Sequence, residues 1–158
     1  MLLESIKTIL LVITTLLILY SLLFKKRIPA EKVKFLASSL VITLVLLFII
    51  VIKLHHYLRL DYRIPNTLTY FIVSIPFIFH LYKFKSELLK TNFILLLFSI
   101  SFITLAVILD LLTDGKIISF SVSDLIEELL RIAGTGLWML YYFNYTIKLR
   151  NFKNVSIK

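Results

Sequence analysis

Apolar residues come in five long runs along this chain, at about 8–24, 35–52, 67–82, 91–113 and 129–147, and polar and charged residues gather between them. Charge or proline closes the second, third and fourth runs at their ends. Runs of roughly 16 to 23 residues suit helices crossing ~30 Å of hydrocarbon at ~1.5 Å per residue, some with help from their flanks, and exceed what a membrane strand needs. A helix also satisfies its own backbone hydrogen bonds, which lipid cannot do for it. The pattern therefore predicts an all-α polytopic helical bundle: a single transmembrane domain over residues 1–158 with five spans, the fifth opening near residue 126.

Composition adds the compartment. The chain is 59% hydrophobic and 17% charged with a mean hydropathy of +0.96, and at 158 residues it is too short to hide so much apolar surface in a soluble core. A net charge of +9 would suggest nucleic acid as the partner of a soluble protein, but here membrane topology accounts for it. Residues 25–34, 83–90 and the tail from Lys148 hold 12 basic and two acidic residues between them, whereas all other positions hold six basic and seven acidic. Basic residues collect on the cytoplasmic side, so this asymmetry predicts a multi-pass cell-membrane protein with its amino terminus outside and its carboxyl terminus inside. An even number of spans would place the clusters on opposing faces. The first run ends in Lys25-Lys26-Arg27 instead of a small-residue cleavage site, and no basic leader precedes it, so a retained span is expected. Cysteine is absent, which excludes disulfides, thiol catalysis and cysteine-ligated metal.

The connections carry ordinary boundary signals. Pro29 followed by Glu31 reads as the first turn of the second helix, and Asn66 reads as the N-cap of the third span. Between them, Lys53 to Pro65 reads as a long connection of mixed charge. Pro76 removes a backbone donor within the third span, so a kink is expected near 72–76. Gly115 is a helix stop, residues 117–123 suit the interface, and Asp124 with Glu127 resembles a capping box for the fifth helix.

Among chemistry-bearing groups, one set stands out. Counting back from Lys148 places Glu128 about at the far boundary of the hydrocarbon and Arg131 one turn inside it. Asp110 lies twenty residues beyond Lys90, and Lys53 ends the second span, so Lys53, Asp110, Glu127, Glu128 and Arg131 share a depth. Ionisable groups there suggest an ion or proton site. A boundary network, in which Arg131 pairs with Glu127, Glu128 or Asp110, explains the same residues and is preferred.

His55 and His56 with Asp61 offer a weaker metal or pH-sensing site, because adjacent helical side chains diverge by about 100° and cannot both face one ion without a turn. His80, the histidine inside a span, is expected to bond a backbone carbonyl freed by Pro76. Gly134 and Gly136 mark close helix packing. Trp138 is deep enough to face the bundle, and Tyr145 fits an interfacial aromatic belt. Neither a phosphate-cradling loop nor a nucleophile elbow nor a zinc-ligand spacing is present.

The sequence therefore points to a non-enzymatic membrane protein that acts as a complex subunit, assembly factor or sensory module. Its expected partners are the lipid bilayer and another membrane protein or a second copy, with no nucleic acid and no cofactor. Two alternatives use the residues above: a proton- or cation-linked transporter built on the outer carboxylates, and an intramembrane metal-dependent lipid hydrolase built on His55, His56 and Asp61.

Overall fold

The computed structural model describes residues 2–23, 28–52, 54–114 and 122–155, with the backbone alone described for Leu2, His55, His56, Asp114 and 151–155. Of the described residues 91% are helical and none is in a strand, so the fold is all-α. The helices are α1 (Leu2–Leu23), α2 (Ala30–Ile50), α3 (Leu54–Tyr62), α4 (Asn66–Lys83), α5 (Lys85–Leu89), α6 (Phe93–Asp114) and α7 (Ser123–Val155).

Residues 3–23, 30–50 and 93–113, in α1, α2 and α6, are long and apolar enough to cross a membrane by length and composition. Those three helices mark a membrane protein. α4 and α7 are diluted by polar residues: Asn66, Thr67, Thr69, His80 and Lys83 in α4, and charge at both ends of α7.

Side-chain contacts fix the sense of each long helix. Lys7 near the start of α1 meets Glu128 near the start of α7, and Asp110 near the end of α6 meets Tyr70 near the start of α4. At the opposite end Ser21 of α1 lies 3.0 Å from Thr146 of α7, and Ser38 of α2 lies 2.8 Å from His80 of α4. Thr91, just before α6, lies 2.9 Å from the Tyr141 hydroxyl of α7. Consecutive long helices therefore run in opposite senses between two ends. Three carboxylates gather at one end, with α3 beside it, and lysines gather at the other, with α5; these are the acidic and basic ends.

α7 is the central helix, packing along α6 on one side and α1 on the other, and α1 packs in turn on α2. Lipid is as apolar as leucine, so helices in a bilayer associate through close packing and hydrogen bonds, with little help from the hydrophobic effect. Gly134 shows how close α6 and α7 come. Ser99 donates to its carbonyl at 2.7 Å, and a Cβ added there would lie 2.6 Å from Ile103 Cγ1. At Gly136 the nearest atom to such a Cβ is Leu10 Cδ1 at 3.9 Å, an ordinary contact.

Aromatic rings fill the basic half of the core. Trp138, Tyr141, Tyr142 and Phe35 are buried, and the Trp138 indole donates to Thr43 Oγ1 at 3.1 Å, joining α7 to α2. Tyr145 was expected at the interface but packs inward, its ring 5.1 Å from that of Phe35, because α7 turns it to the face that carries Tyr141 and Trp138.

Several boundaries differ from the sequence reading. The connection 53–65 holds the helix α3, and Arg63 just after it has φ 55, in the left-handed region, so that the Ile64 amide reaches the Leu58 carbonyl at 3.2 Å. Pro65, not Asn66, occupies the N-cap of α4, and its carbonyl accepts the amides of Leu68 and Thr69. Pro76 lies inside α4, which is continuous from Asn66 to Lys83. α7 does not stop at Ile147. It continues through the basic residues to Val155, and its 33 residues reach about 50 Å, well beyond the hydrocarbon thickness. Lys and Arg are good helix formers, so nothing local ends the helix there. Gly115 and residues 117–121 of the expected interfacial piece lie outside the described residues.

Candidate functional site

The acidic end of the bundle is a lattice of charges from three helices, joined by a phenol from a fourth. Helix rise sets it up: Asp110 sits one turn before the end of α6, and Glu127, Glu128 and Arg131 occupy the first turns of α7, spaced so that both glutamates lie within reach of the arginine on one face. An Arg131 terminal nitrogen is 2.6 Å from Glu127, 3.8 Å from Asp110 and, through the other nitrogen, 3.9 Å from Glu128. The first is a close ion pair; the other two are too long for hydrogen bonds and act through charge alone.

Lys7 of α1 completes the lattice. It is 1% exposed, and its ammonium lies 2.6 Å from both oxygens of Glu128. An ammonium so fully removed from water needs a carboxylate at such a distance, since an unpaired buried charge is among the costliest features a fold can carry. Tyr70 of α4 adds a neutral donor, its hydroxyl bonded to Asp110 Oδ2 at 2.6 Å. The contacts run from α4 through α6 and α7 to α1. Directional, charge-assisted bonds join α4 to α6 and α7 to α1, and the longer Arg131–Asp110 contact links the two pairs through charge.

The sequence singled out Asp110, Glu127, Glu128 and Arg131, and the structure brings these four together. Lys53, placed in the same set, lies outside the described residues. Lys7 and Tyr70 were missed. Lys7 was legible from depth: it precedes Lys25 by eighteen residues, nearly the spacing that separates Asp110 from Lys90 and Glu128 from Lys148. Tyr70 had no such signal.

The other candidates are placed apart. Asp61 lies on α3, where the Tyr57 phenol one turn earlier bonds to it, and that carboxylate pushes the Tyr57 pKa above the usual tyrosine value. The side chains of His55 and His56 lie outside the described residues, and among the described ones no three His, Asp or Glu residues form a group able to hold a metal ion. His80 does not bond a backbone carbonyl as expected. Its Nδ1 pairs with the Ser38 hydroxyl, its ring stacks on Phe35 at 5.4 Å, and its buried Nε2 has no hydrogen-bond partner. Ser38 sits directly across from it on α2, which gives the ring a nearer partner than the proline turn.

Fold and lattice together define a class: an all-helical protein of membrane type whose helices are joined at one end by buried charge. A family model described as Domain of unknown function (DUF8692) matches residues 5–145, and the chain belongs to that family. The matched stretch contains the whole lattice, from Lys7 to Arg131. No curated protein and no solved structure matches the chain.

Proposed function

We propose that this chain is a non-enzymatic multi-pass protein of the cell membrane, serving as a subunit, assembly factor or sensory module of a membrane complex. In this reading α1, α2, α4, α6 and α7 all span the bilayer, with the amino terminus outside and the basic end in the cytoplasm. Two features favour five spans over three. α4 and α7 alternate between the same two ends as the three more apolar helices, and Lys32, Lys34, Lys83, Lys85, Lys90 and Lys148 all fall at one of those ends.

The observation that carries the functional reading is the closed pairing of the lattice. Lys7 has Glu128, Arg131 has Glu127, and Asp110 has the Tyr70 hydroxyl and the Arg131 charge. Groups so matched act as a clamp between helices. The outer surface suits helix or lipid contact: α4 buries Asn66, Thr69 and His80 while Phe71, Ile72, Ile75, Ile78 and Phe79 point outward, each more than half exposed. This inside-out polarity belongs to a helix bathed in an apolar medium.

Extraction in mild detergent followed by affinity purification tests the reading. A second membrane protein or a second copy should copurify; a lone monomer in several detergents would contradict it. Cysteine labelling at the two ends checks the topology, with opposite compartments expected.

A second reading, a small proton- or cation-linked transporter, is favoured by the continuity of the lattice from Tyr70 to Lys7. Neutralising Asp110 and Glu128 together should then abolish flux in proteoliposomes, whereas the clamp reading expects lower stability and no flux to lose.

A further inference from the structure

The basic end holds a cavity that the lattice and the clamp reading leave unused. It has a volume of about 380 Å³ and is lined by Lys32 of α2, Glu87 of α5, Lys90 and Thr91 at the entry to α6, and Tyr145 and Lys148 of α7. A smaller cavity of about 130 Å³ shares Lys90, Thr91, Tyr145 and Lys148 with it. Three lysines from three separate parts of the chain thus converge on one hollow, against one carboxylate. Glu87 engages Lys90 through a long contact of 3.4 Å, and the Lys148 ammonium rests on the Lys90 carbonyl at 2.5 Å, so the lysines are held near one another despite their repulsion.

Tyr145 gives the hollow a second, independent sign of a ligand. The residue is 4% exposed and lines both cavities, yet its hydroxyl has no hydrogen-bond partner. A buried hydroxyl without a partner is destabilising, and such groups in folded proteins call for a missing acceptor. The amino end of α6, a helix of 22 residues, opens beside Thr91 and adds the positive pole of its dipole. Ammonium groups, a free hydroxyl donor and a helix amino end all select for an anion with several acceptor oxygens.

We propose that this cavity binds a phosphoryl anion, with Lys32, Lys90 and Lys148 supplying charge and the Tyr145 hydroxyl donating to one phosphoryl oxygen. The source is the headgroup of an anionic phospholipid or free phosphate, which share this chemistry. Basic pockets between helices on the cytoplasmic side are suited to lipid headgroups, and the tail of such a lipid would lie along the apolar outer faces. The lipid source rests on the membrane reading above; the anion site itself does not.

Native mass spectrometry of the full chain, taken from nanodiscs of phosphatidylcholine with and without phosphatidylglycerol, reads the lipid source. Retention of phosphatidylglycerol over phosphatidylcholine is expected, falling about tenfold or more in the Lys32→Gln/Lys148→Gln double variant. Tyr145→Phe keeps every lysine, removes only the unpaired hydroxyl, and should lower retention about threefold while the chain stays folded by circular dichroism. Free phosphate is read separately, as a rise in the unfolding temperature of the detergent-solubilised protein in inorganic phosphate over chloride at equal ionic strength. A phosphate response that is lost in the same variants supports the site with a soluble occupant. No lipid preference together with no phosphate response would overturn the proposal, as would either response persisting undiminished in both variants.

Discussion

α1 and α7 touch at both ends of the bundle, and they do so with opposite chemistry. At the acidic end Lys7 is bound to both oxygens of Glu128, a charged contact across 121 residues of sequence. At the basic end the same helices meet through Ser21 and Thr146, two hydroxyls 3.0 Å apart. Each hydroxyl also has a carbonyl of its own helix to bond, Leu17 for Ser21 and Tyr142 for Thr146. Losing either partner there leaves nothing buried and unpaired. Lys7 has no such fallback, because an ammonium in an apolar surrounding requires its counter-charge. Two contacts between one pair of helices therefore differ in what their loss costs and in how firmly they set register.

The largest expected effect follows from that difference. Lys7→Met keeps the side chain's length and leaves Glu128 facing Arg131 at 3.9 Å as its nearest cation, so unfolding in mixed micelles should show a loss of about 3 kcal/mol. Tyr70→Phe comes next. It strips Asp110 of its hydroxyl donor at 2.6 Å, a bond to a charged group whose removal should cost about 1.5–3 kcal/mol in the same assay.

Gly134→Ala should cost about 1–3 kcal/mol, since the new methyl would sit 2.6 Å from Ile103 and 3.1 Å from the Ser99 carbonyl. Gly136→Ala, two residues away with 3.9 Å of room, should be neutral or slightly stabilising through helix propensity. Similar losses at both glycines would show that α7 is rotated from the orientation described. Ser21→Ala should give the smallest loss among the polar contacts, below about 1 kcal/mol. A cost there equal to that of Lys7→Met would erase the contrast between the ends.

How much of this was legible in the sequence depended on whether a property is local. Helix positions follow from runs of apolar residues, so α1, α2, α4, α6 and α7 lie where the pattern put them, give or take their ends. The convergence of Asp110, Glu127, Glu128 and Arg131 was legible too, because depth along a straight helix is a matter of counting residues. Lys7 obeys the same count, eighteen residues before Lys25. Azimuth was not legible. Tyr145 faces the core and Phe79 faces outward because of how each helix is rotated against its neighbours, and in a chain apolar on nearly every face no moment reveals that rotation. α3 escaped notice for a different reason: its nine residues are too few and too charged for an apolar period to show, Pro65 after it reads as a turn, and it packs on α4 where no local pattern announces it.

The central claim is that buried charge joins α1 to α7, and a double-mutant cycle on Lys7 and Glu128 tests it most directly. Lys7→Met, Glu128→Gln and the combined variant would each be unfolded in mixed micelles beside the parent. The clamp predicts strong coupling, with the combined variant recovering about 1.5 kcal/mol or more relative to the sum of the single losses. Losses that simply add would mean that the two side chains do not meet, and the account of the acidic end would fail.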